Sequence, residues 1–343
     1  MRVLVTGGAG FIGSCVVKRL LMQKHNVFNV DKFGYASSTA AIEKLFKEAN
    51  KNDLGEHHLI RIDLSNKRDI DELVSEKKPD LIMHLAAESH VDRSISGPEA
   101  FLNSNVIGTF NLLEATRKYW NSLSPEKKEK FRFHHISTDE VFGSLSKEGR
   151  FSEKTPYDPR SPYSATKASS DHLVNAWYHT YGVPILITNC SNNFGPWQFP
   201  EKLVPVVINK ALNLEDIPIY GDGLNIRDWL YVEDHVDAIL MVLNNGNVGE
   251  SYCIGGYGEK TNLEIVNTIC SIMDKKIPLK KPHSSLIRFV QDRAGHDRRY
   301  SIDPHKISNE LGWKPKYSFE KGIEVTVSWF INNQEWCKKI TAT

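Results

Sequence analysis

Cysteine is scarce and unpaired in this chain. Cys15, Cys190, Cys253, Cys270 and Cys337 are scattered, odd in number and never arranged as C-x-x-C. That speaks against a disulfide framework and a zinc site, and it fits a reducing compartment. Neither sign of charge is in excess. With 43 basic and 42 acidic side chains the formal charge is +1, so neither nucleic acid nor a membrane surface has a general electrostatic hold on the protein. No apolar run approaches the length of a membrane span. Internal repeats and low-complexity tracts are absent, and no His/Asp/Glu cluster has metal-ligand spacing, so no metal is expected. A strand that starts at Arg2 leaves no room for a cleaved leader, which makes the cytoplasm the expected location.

What remains is the composition of a globular protein with a full core, 40% hydrophobic and 25% charged. A length of 343 residues favours two domains, or one large domain with an insertion. Strand-like runs are expected at Arg2 to Thr6, Asn26 to Val30, Leu59 to Ile62, Leu81 to Leu85, Phe133 to Ser137 and Ile185 to Asn189. Helical patterns fall between them at Phe11 to Leu21, Lys67 to Glu76, Phe101 to Trp120 and Ala165 to Tyr181. Such alternation calls for a doubly wound parallel sheet, the Rossmann-type α/β class, with helices on both faces. After about Ser191, prolines, glycines and aromatics interleaved with charges suggest a smaller, mixed, irregular region. The charged stretch Ser124 to Lys130 reads as a solvated loop, and His134 and His135 as strand residues without a ligand role.

Thr6-Gly7-Gly8-Ala9-Gly10-Phe11-Ile12-Gly13 joins the first strand to the first helix. Gly7 and Gly10 keep the turn tight and let the backbone approach a pyrophosphate, and Gly13 lets helix and strand pack closely. The phosphates then meet free N–H groups at the helix N-terminus. Asp31 follows 18 residues beyond Gly13, at the end of the next strand, where a carboxylate can accept from adenosine ribose hydroxyls. An acid there repels a 2′-phosphate, which favours NAD over NADP. Asp63-Leu64 and Leu85-Ala86-Ala87 end two further strands on the same carboxyl edge, where ligands of such sheets bind. Tyr163 and Lys167 form Y-x-x-x-K on one face of a helix, and a lysine cation beside a phenol lowers its pKa. Ser137-Thr138-Asp139-Glu140 ends another strand.

These motifs together resemble the extended short-chain dehydrogenases/reductases, and within them the dTDP-glucose 4,6-dehydratases. The resemblance runs through TGGAGFIGS (Thr6 to Ser14), HLAAESHVDRSI (His84 to Ile95), STDEVFG (Ser137 to Gly143), SPYSATKASSDHLV (Ser161 to Val174), TNCSNNFGP (Thr188 to Pro196), FPEKLVP (Phe199 to Pro205), PIYGDG (Pro218 to Gly223), IRDWLYVEDH (Ile226 to His235) and DRAGHDRRY (Asp292 to Tyr300). The adjacent Thr-Asp-Glu separates dehydratases from epimerases, which carry small residues there. The chain departs from the pattern at Phe142, Trp197-Gln198, Ala294 and the stretch after Lys32.

The resemblance implies an NAD-binding domain over 1–190, rejoined by about 226–256, and a mainly sugar-nucleotide-binding domain over 191–343. It implies that Tyr163 deprotonates the C4 hydroxyl while hydride passes to NAD, with Thr138 on the same oxygen. Glu140 then removes the C5 proton, Asp139 protonates the leaving C6 hydroxyl, and hydride returns to C6. Close carboxyls tend to split their pKa values, as these two roles require. Phe11, Ile12, Lys32, Ser89, Ser104 and Asn192 join the residues above, Tyr163 and Lys167 included, around the cofactor. Lys202, Arg227 and Arg293 would meet the diphosphate. Ser89, His90, Thr138, Asn193, Glu201, Leu203, Pro205, Pro218, Tyr220, Asn262, Asp292, His296 and Tyr300 complete the implied substrate set. Homodimer formation through helices near Asn105 to Trp120 and Ala165 to Tyr181 is also implied. Thymine and uracil differ by one methyl, worth about 1–3 kcal/mol in an apolar pocket, so UDP-glucose remains an alternative substrate. A 4-epimerase or decarboxylase on this scaffold is disfavoured by Asp139 and Glu140. A silent NAD-binding sensor could dispense with Tyr163 and Lys167, and both are present.

Overall fold

A computed structural model of the chain describes residues 1–50, 53–292 and 296–341. Seven strands form one parallel sheet: β1 (Arg2–Thr6), β2 (Asn26–Asp31), β3 (His57–Arg61), β4 (Leu81–His84), β5 (Arg132–Thr138), β6 (Ile185–Cys190) and β7 (Ser251–Ile254). Their order across the sheet is 3-2-1-4-5-6-7. The order reverses between β1 and β4, and a crevice opens at such a switch point beyond the carboxyl ends of the strands.

Both faces of the sheet are buried, and the two-residue period shows it directly. Val3 and Val5 of β1 point into one core with Val16, Val17, Leu20 and Leu21 of α1 (Phe11–Met22) and with Val236, Ile239 and Leu243 from helix Val232–Asn245. Leu4 points the other way, into a core with Ile70, Leu112, Leu113, Phe133, Val174, Ile185 and Ile187. A second, separate core gathers Phe194, Val204, Ile208, Ile219, Ile265, Ile269, Ile323, Val327 and Phe330. Its helices are Leu203–Leu212, Asn262–Lys276 and Phe319–Asn332, with a parallel strand pair, Ile217–Tyr220 and Ile287–Val290, at its edge. Among the described residues no helix is long and apolar enough to cross a membrane.

Two local expectations are corrected. The segment Ser124 to Lys130 is solvated but not a loop: Pro125–Lys130 is a short helix with proline in its first turn and no buried residue. Proline's fixed φ starts a helix well where an N–H has no partner anyway. The continuous helix expected over Phe101 to Trp120 is broken. Pro98–Phe101 is α-helical, Leu102–Ile107 widens into a π-helix, and Gly108–Asn121 resumes as α. Within the wide turn the Asn105 carboxamide accepts from the Glu88 N–H at 2.8 Å and donates to the Glu88 carbonyl at 3.0 Å and to Thr166 Oγ1 at 3.0 Å. π turns of this kind recur at functional sites, and this one fastens the segment after β4 beside the crevice.

The β1–α1 turn is tightly packed. A Cβ on Gly13 would lie 2.1 Å from the Gly7 carbonyl oxygen, a backbone atom that cannot swing aside. Gly13→Ala is expected to lose about 1–3 kcal/mol of unfolding free energy, the usual cost of overpacking. Urea denaturation reads the loss, and an unchanged midpoint would contradict the packing described.

Candidate active site

One cleft of about 1840 Å³ of atom-free space, part of it open to solvent, runs along the carboxyl edge of the sheet. It is lined by the glycine turn (Gly7, Gly10, Phe11, Ile12, Gly13), by Asp31 and Lys32, and by Asp63, Leu64, Leu85, Ala86, Ala87, Ser89, Ser104 and Asn192. Thr138, Asp139, Glu140, Tyr163, Lys167, Asn193, Glu201, Lys202 and Leu203 line the same space.

Its floor suits a dinucleotide. Gly7 adopts φ +72°, and a Cβ there would come within 2.6 Å of the Ala86 nitrogen. Gly10 is the N-cap of α1 and offers no side chain to the first-turn N–H groups, and no acid lies in that turn. The helix end is thus left for an anion. Behind it, Thr6 Oγ1 and His84 Nδ1 are hydrogen-bonded at 2.7 Å, and His84 Nε2 and Thr109 Oγ1 at 2.8 Å, locking β1 to β4. Asp31 does more than the sequence suggests. Its carboxylate accepts from the Ala9 N–H at 3.1 Å, the Phe33 N–H at 2.8 Å and Ser37 Oγ at 2.9 Å. A carboxylate has about four acceptor sites, so one remains for a ribose hydroxyl. Asn192 Oδ1 and Gln198 Oε1 also line the cleft, buried and without a partner.

The catalytic candidates come from two elements. β5 ends at Thr138, and Asp139–Phe142 makes a single 3₁₀ turn in which Thr138 Oγ1 accepts from the Glu140 N–H at 3.3 Å. Helix Pro162–Tyr181 starts with a reciprocal cap: Ser161 Oγ accepts from the Ser164 N–H at 3.0 Å, and Ser164 Oγ accepts from the Ser161 N–H at 3.0 Å. That start sets Tyr163 in the first turn and Lys167 one turn later. Burial, then Glu140 and Asp228, push the Asp139 carboxyl well above its usual range, and its Oδ2 is buried with no hydrogen-bond partner.

The tyrosine corrects an expectation. Burial first, and then the negative charge of Glu140, raise the Tyr163 phenol well above its usual value instead of lowering it. Lys167 lines the cleft as well. Its ammonium donates to the Ile136 carbonyl at 3.0 Å and lies 3.3 Å from His135 Nε2, while burial pulls the lysine down.

The implied substrate residues divide into two sets. Ser89, Thr138, Asn193, Glu201, Lys202 and Leu203 are in the cleft, and Lys202 Nζ donates to the Ser89 carbonyl at 2.9 Å. His90 stands behind them, its Nε2 3.8 Å from Glu201. Arg227 and Tyr300 do not line the cleft but stack together, with the guanidinium carbon 4.1 Å from the ring centre; Arg227 acts electrostatically on Asp139, and Glu140 acts on Tyr300. Pro205 is buried in helix Leu203–Leu212 as packing. Pro218 and the exposed Tyr220 sit on the outer strand pair, Asn262 begins helix Asn262–Lys276, and His296 lies 2.6 Å from Asp292. None of these lines the cleft. Arg293 lies outside the described residues.

Sequence reasoning missed several residues. Tyr35 donates to Glu201 at 2.9 Å, and Lys32 pairs with Glu88 at 2.6 Å, each joining two walls of the cleft. His135, set aside as a strand residue, is 3.0 Å from the buried Asp171, which also accepts from Ser137 at 2.7 Å and Tyr157 at 2.9 Å. The spacing of four from Lys167 to Asp171 was the available signal.

Comparison with known proteins agrees with this geometry. The family model described as GDP-mannose 4,6 dehydratase matches residues 4–326. A dTDP-glucose 4,6-dehydratase of Salmonella typhimurium is 51% identical over 99% of this chain and 95% of its own length. The dTDP-glucose 4,6-dehydratase of Bacillus anthracis, solved in complex with NAD, superposes with a TM-score of 0.85 at 41% identity, covering 99% of both chains. That of Streptomyces venezuelae, also solved with NAD bound, gives 0.88 at 38% identity over 99% of this chain and 100% of its own. Sheet order, cleft and sequence agree that the chain belongs to the dTDP-glucose 4,6-dehydratases, a family of extended short-chain dehydrogenases/reductases.

Proposed function

We propose that the protein converts dTDP-glucose to dTDP-4-keto-6-deoxyglucose and water. One observation carries the reading: a buried phenol, a buried carboxyl and a neighbouring carboxylate border the same cleft as the glycine turn. The N-terminus of α1, Asp31 and the cleft residues named above would hold NAD in that turn, where it would supply reversible hydride acceptance between C4 and C6.

The protein's own groups move the protons. Tyr163 takes the proton of the C4 hydroxyl as a phenolate, a form that burial and Glu140 oppose and that the Lys167 ammonium one turn along favours, and Thr138 Oγ1 hydrogen-bonds the same oxygen. A keto group at C4 acidifies the C5 proton, which Glu140 removes as a carboxylate. Asp139, kept neutral by burial and by Glu140, delivers its proton to O6 as water departs, and Glu140 then returns its proton to C5. Each turnover leaves Tyr163 one proton richer and Asp139 one poorer. Thr138 Oγ1, 3.4 Å from Asp139 Oδ1 and in contact with the Tyr163 phenol, offers the short path that closes the cycle.

Arg227, Tyr300 and Tyr220 are assigned to the diphosphate and base by chemical type, with Lys202 in the cleft itself. UDP-glucose, tried beside dTDP-glucose, measures what the thymine methyl contributes. The homodimer is part of this proposal: Ile107 and Tyr181, on the helices named for pairing, are 44% and 43% exposed. So is a reducing cytoplasm, which suits five cysteines that are all buried and free.

Glu140→Gln is expected to form NADH with dTDP-glucose yet take no solvent deuterium into C5. Because Glu140 raises the Tyr163 phenol, NADH formation in this variant should also reach down to lower pH; undiminished C5 exchange would remove Glu140 as the base. Tyr163→Phe should abolish NADH formation, and normal formation refutes its role. A third outcome concerns stability. The Asp139 carboxyl is raised in the folded state, so its contribution is fully present below the unfolded pKa and is lost as pH rises through the folded pKa. Asp139→Asn removes that loss and should raise the melting temperature by a few degrees near pH 8 with little gain near pH 4, as scanning calorimetry would show. Equal shifts at both pH values would mean Asp139 is not held neutral.

A further inference from the structure

We propose that Asp171 is a positioning residue for this reaction: the buried counter-charge that keeps Lys167 an ammonium and, through His135, directs it into the cleft. The inference rests on the function proposed above and concerns a residue with no part in that chemistry. Tyr163, Lys167 and Asp171 follow one another at intervals of four on helix Pro162–Tyr181, so they share one face. The first two border the cleft, whereas Asp171 lies behind them at 0% exposure and does not line it.

Its surroundings belong to an ionised carboxylate. Ser137 Oγ (2.7 Å), Tyr157 Oη (2.9 Å) and Asn189 Nδ2 (3.3 Å) donate to Oδ2, and His135 Nε2 lies 3.0 Å from Oδ1. Four donors on one buried carboxylate stabilise its charge, and it is held below the usual carboxylate range despite its burial. A carboxylate at 3.0 Å requires the proton of His135 on Nε2. That nitrogen then cannot accept from Lys167 Nζ, 3.3 Å away. The ammonium keeps one bond, to the Ile136 carbonyl, and Lys167 lines the cleft.

Among the described residues, Lys167 interacts electrostatically with Asp171 on its own helix, His84 from β4, His135 from β5 and Cys190 from β6, and Tyr163, Asp139 and Glu140 line the same cleft. Burial keeps both histidines neutral and the Cys190 thiol protonated. Asp171 is then the first of the groups that offset the burial of the ammonium. Without it a lysine this deep sheds its proton at lower pH.

The test compares Asp171→Asn with the unsubstituted enzyme on dTDP-glucose across pH. The alkaline limb of kcat should move down by about one pH unit, so that kcat falls ~tenfold further near pH 9 than near pH 6.5, while KM for the sugar nucleotide holds. In a Lys167→Arg background the same substitution should leave the limb in place, since arginine stays charged. An equal loss at every pH, or the same shift in the arginine background, overturns the proposal in favour of a packing role. Should Asp171→Asn fail to fold, NMR titration of labelled lysine in the unsubstituted protein, assigned with Lys167→Arg, decides. An ammonium persisting at pH 9 is expected, and a neutral amine at pH 8 overturns the claim. If the unsubstituted enzyme makes no 4-keto product, the function proposed above fails while this titration still tests Asp171.

Discussion

The removal of ionisable groups from water at the end of β5 is the constraint on which the rest of the site depends. Asp139, Tyr163, Lys167 and Asp171 are each less than a tenth exposed, within two adjoining elements. In such surroundings burial disfavours every charged form, and each group keeps its charge only where a neighbour supports it. Asp139 has Glu140 beside it and stays neutral; Asp171 has four donors and stays charged. One physical effect, applied to two carboxyls, yields an acid and an anion.

The fold supplies that burial cheaply. A parallel sheet covered on both faces has dry strand ends, and the switch point between β1 and β4 opens a cleft there without unpairing any strand. The glycines of the β1–α1 turn let a helix N-terminus face the same space in which β5 presents its acid pair. A dinucleotide lying on that floor and a sugar in the same cleft would therefore meet over Tyr163.

Much of this was legible in the sequence because it is local. The seven-residue glycine turn, the capped start of helix Pro162–Tyr181 and the run Thr138-Asp139-Glu140 each carry their geometry within a few residues. What the sequence concealed is non-local. His135 looked like any strand residue until packing brought it between Asp171 and Lys167. The π turn at Leu102–Ile107 answers to Asn105 and its bonds to Glu88, across a separation no periodicity reveals. Y-x-x-x-K suggested a phenol lowered by its lysine, but Glu140 and burial act on the same phenol in the opposite sense. The implied substrate residues from Pro218 to Tyr300 come from widely separated segments, so only the resemblance could gather them.

The central claim is an elimination carried out within one closed redox cycle, and isotope transfer tests it most directly. With dTDP-glucose bearing deuterium at C4, the account predicts dTDP-4-keto-6-deoxyglucose with that deuterium at C6. Loss of the label to solvent, or a 4-keto or 4-epimeric product that retains the C6 hydroxyl, would contradict it.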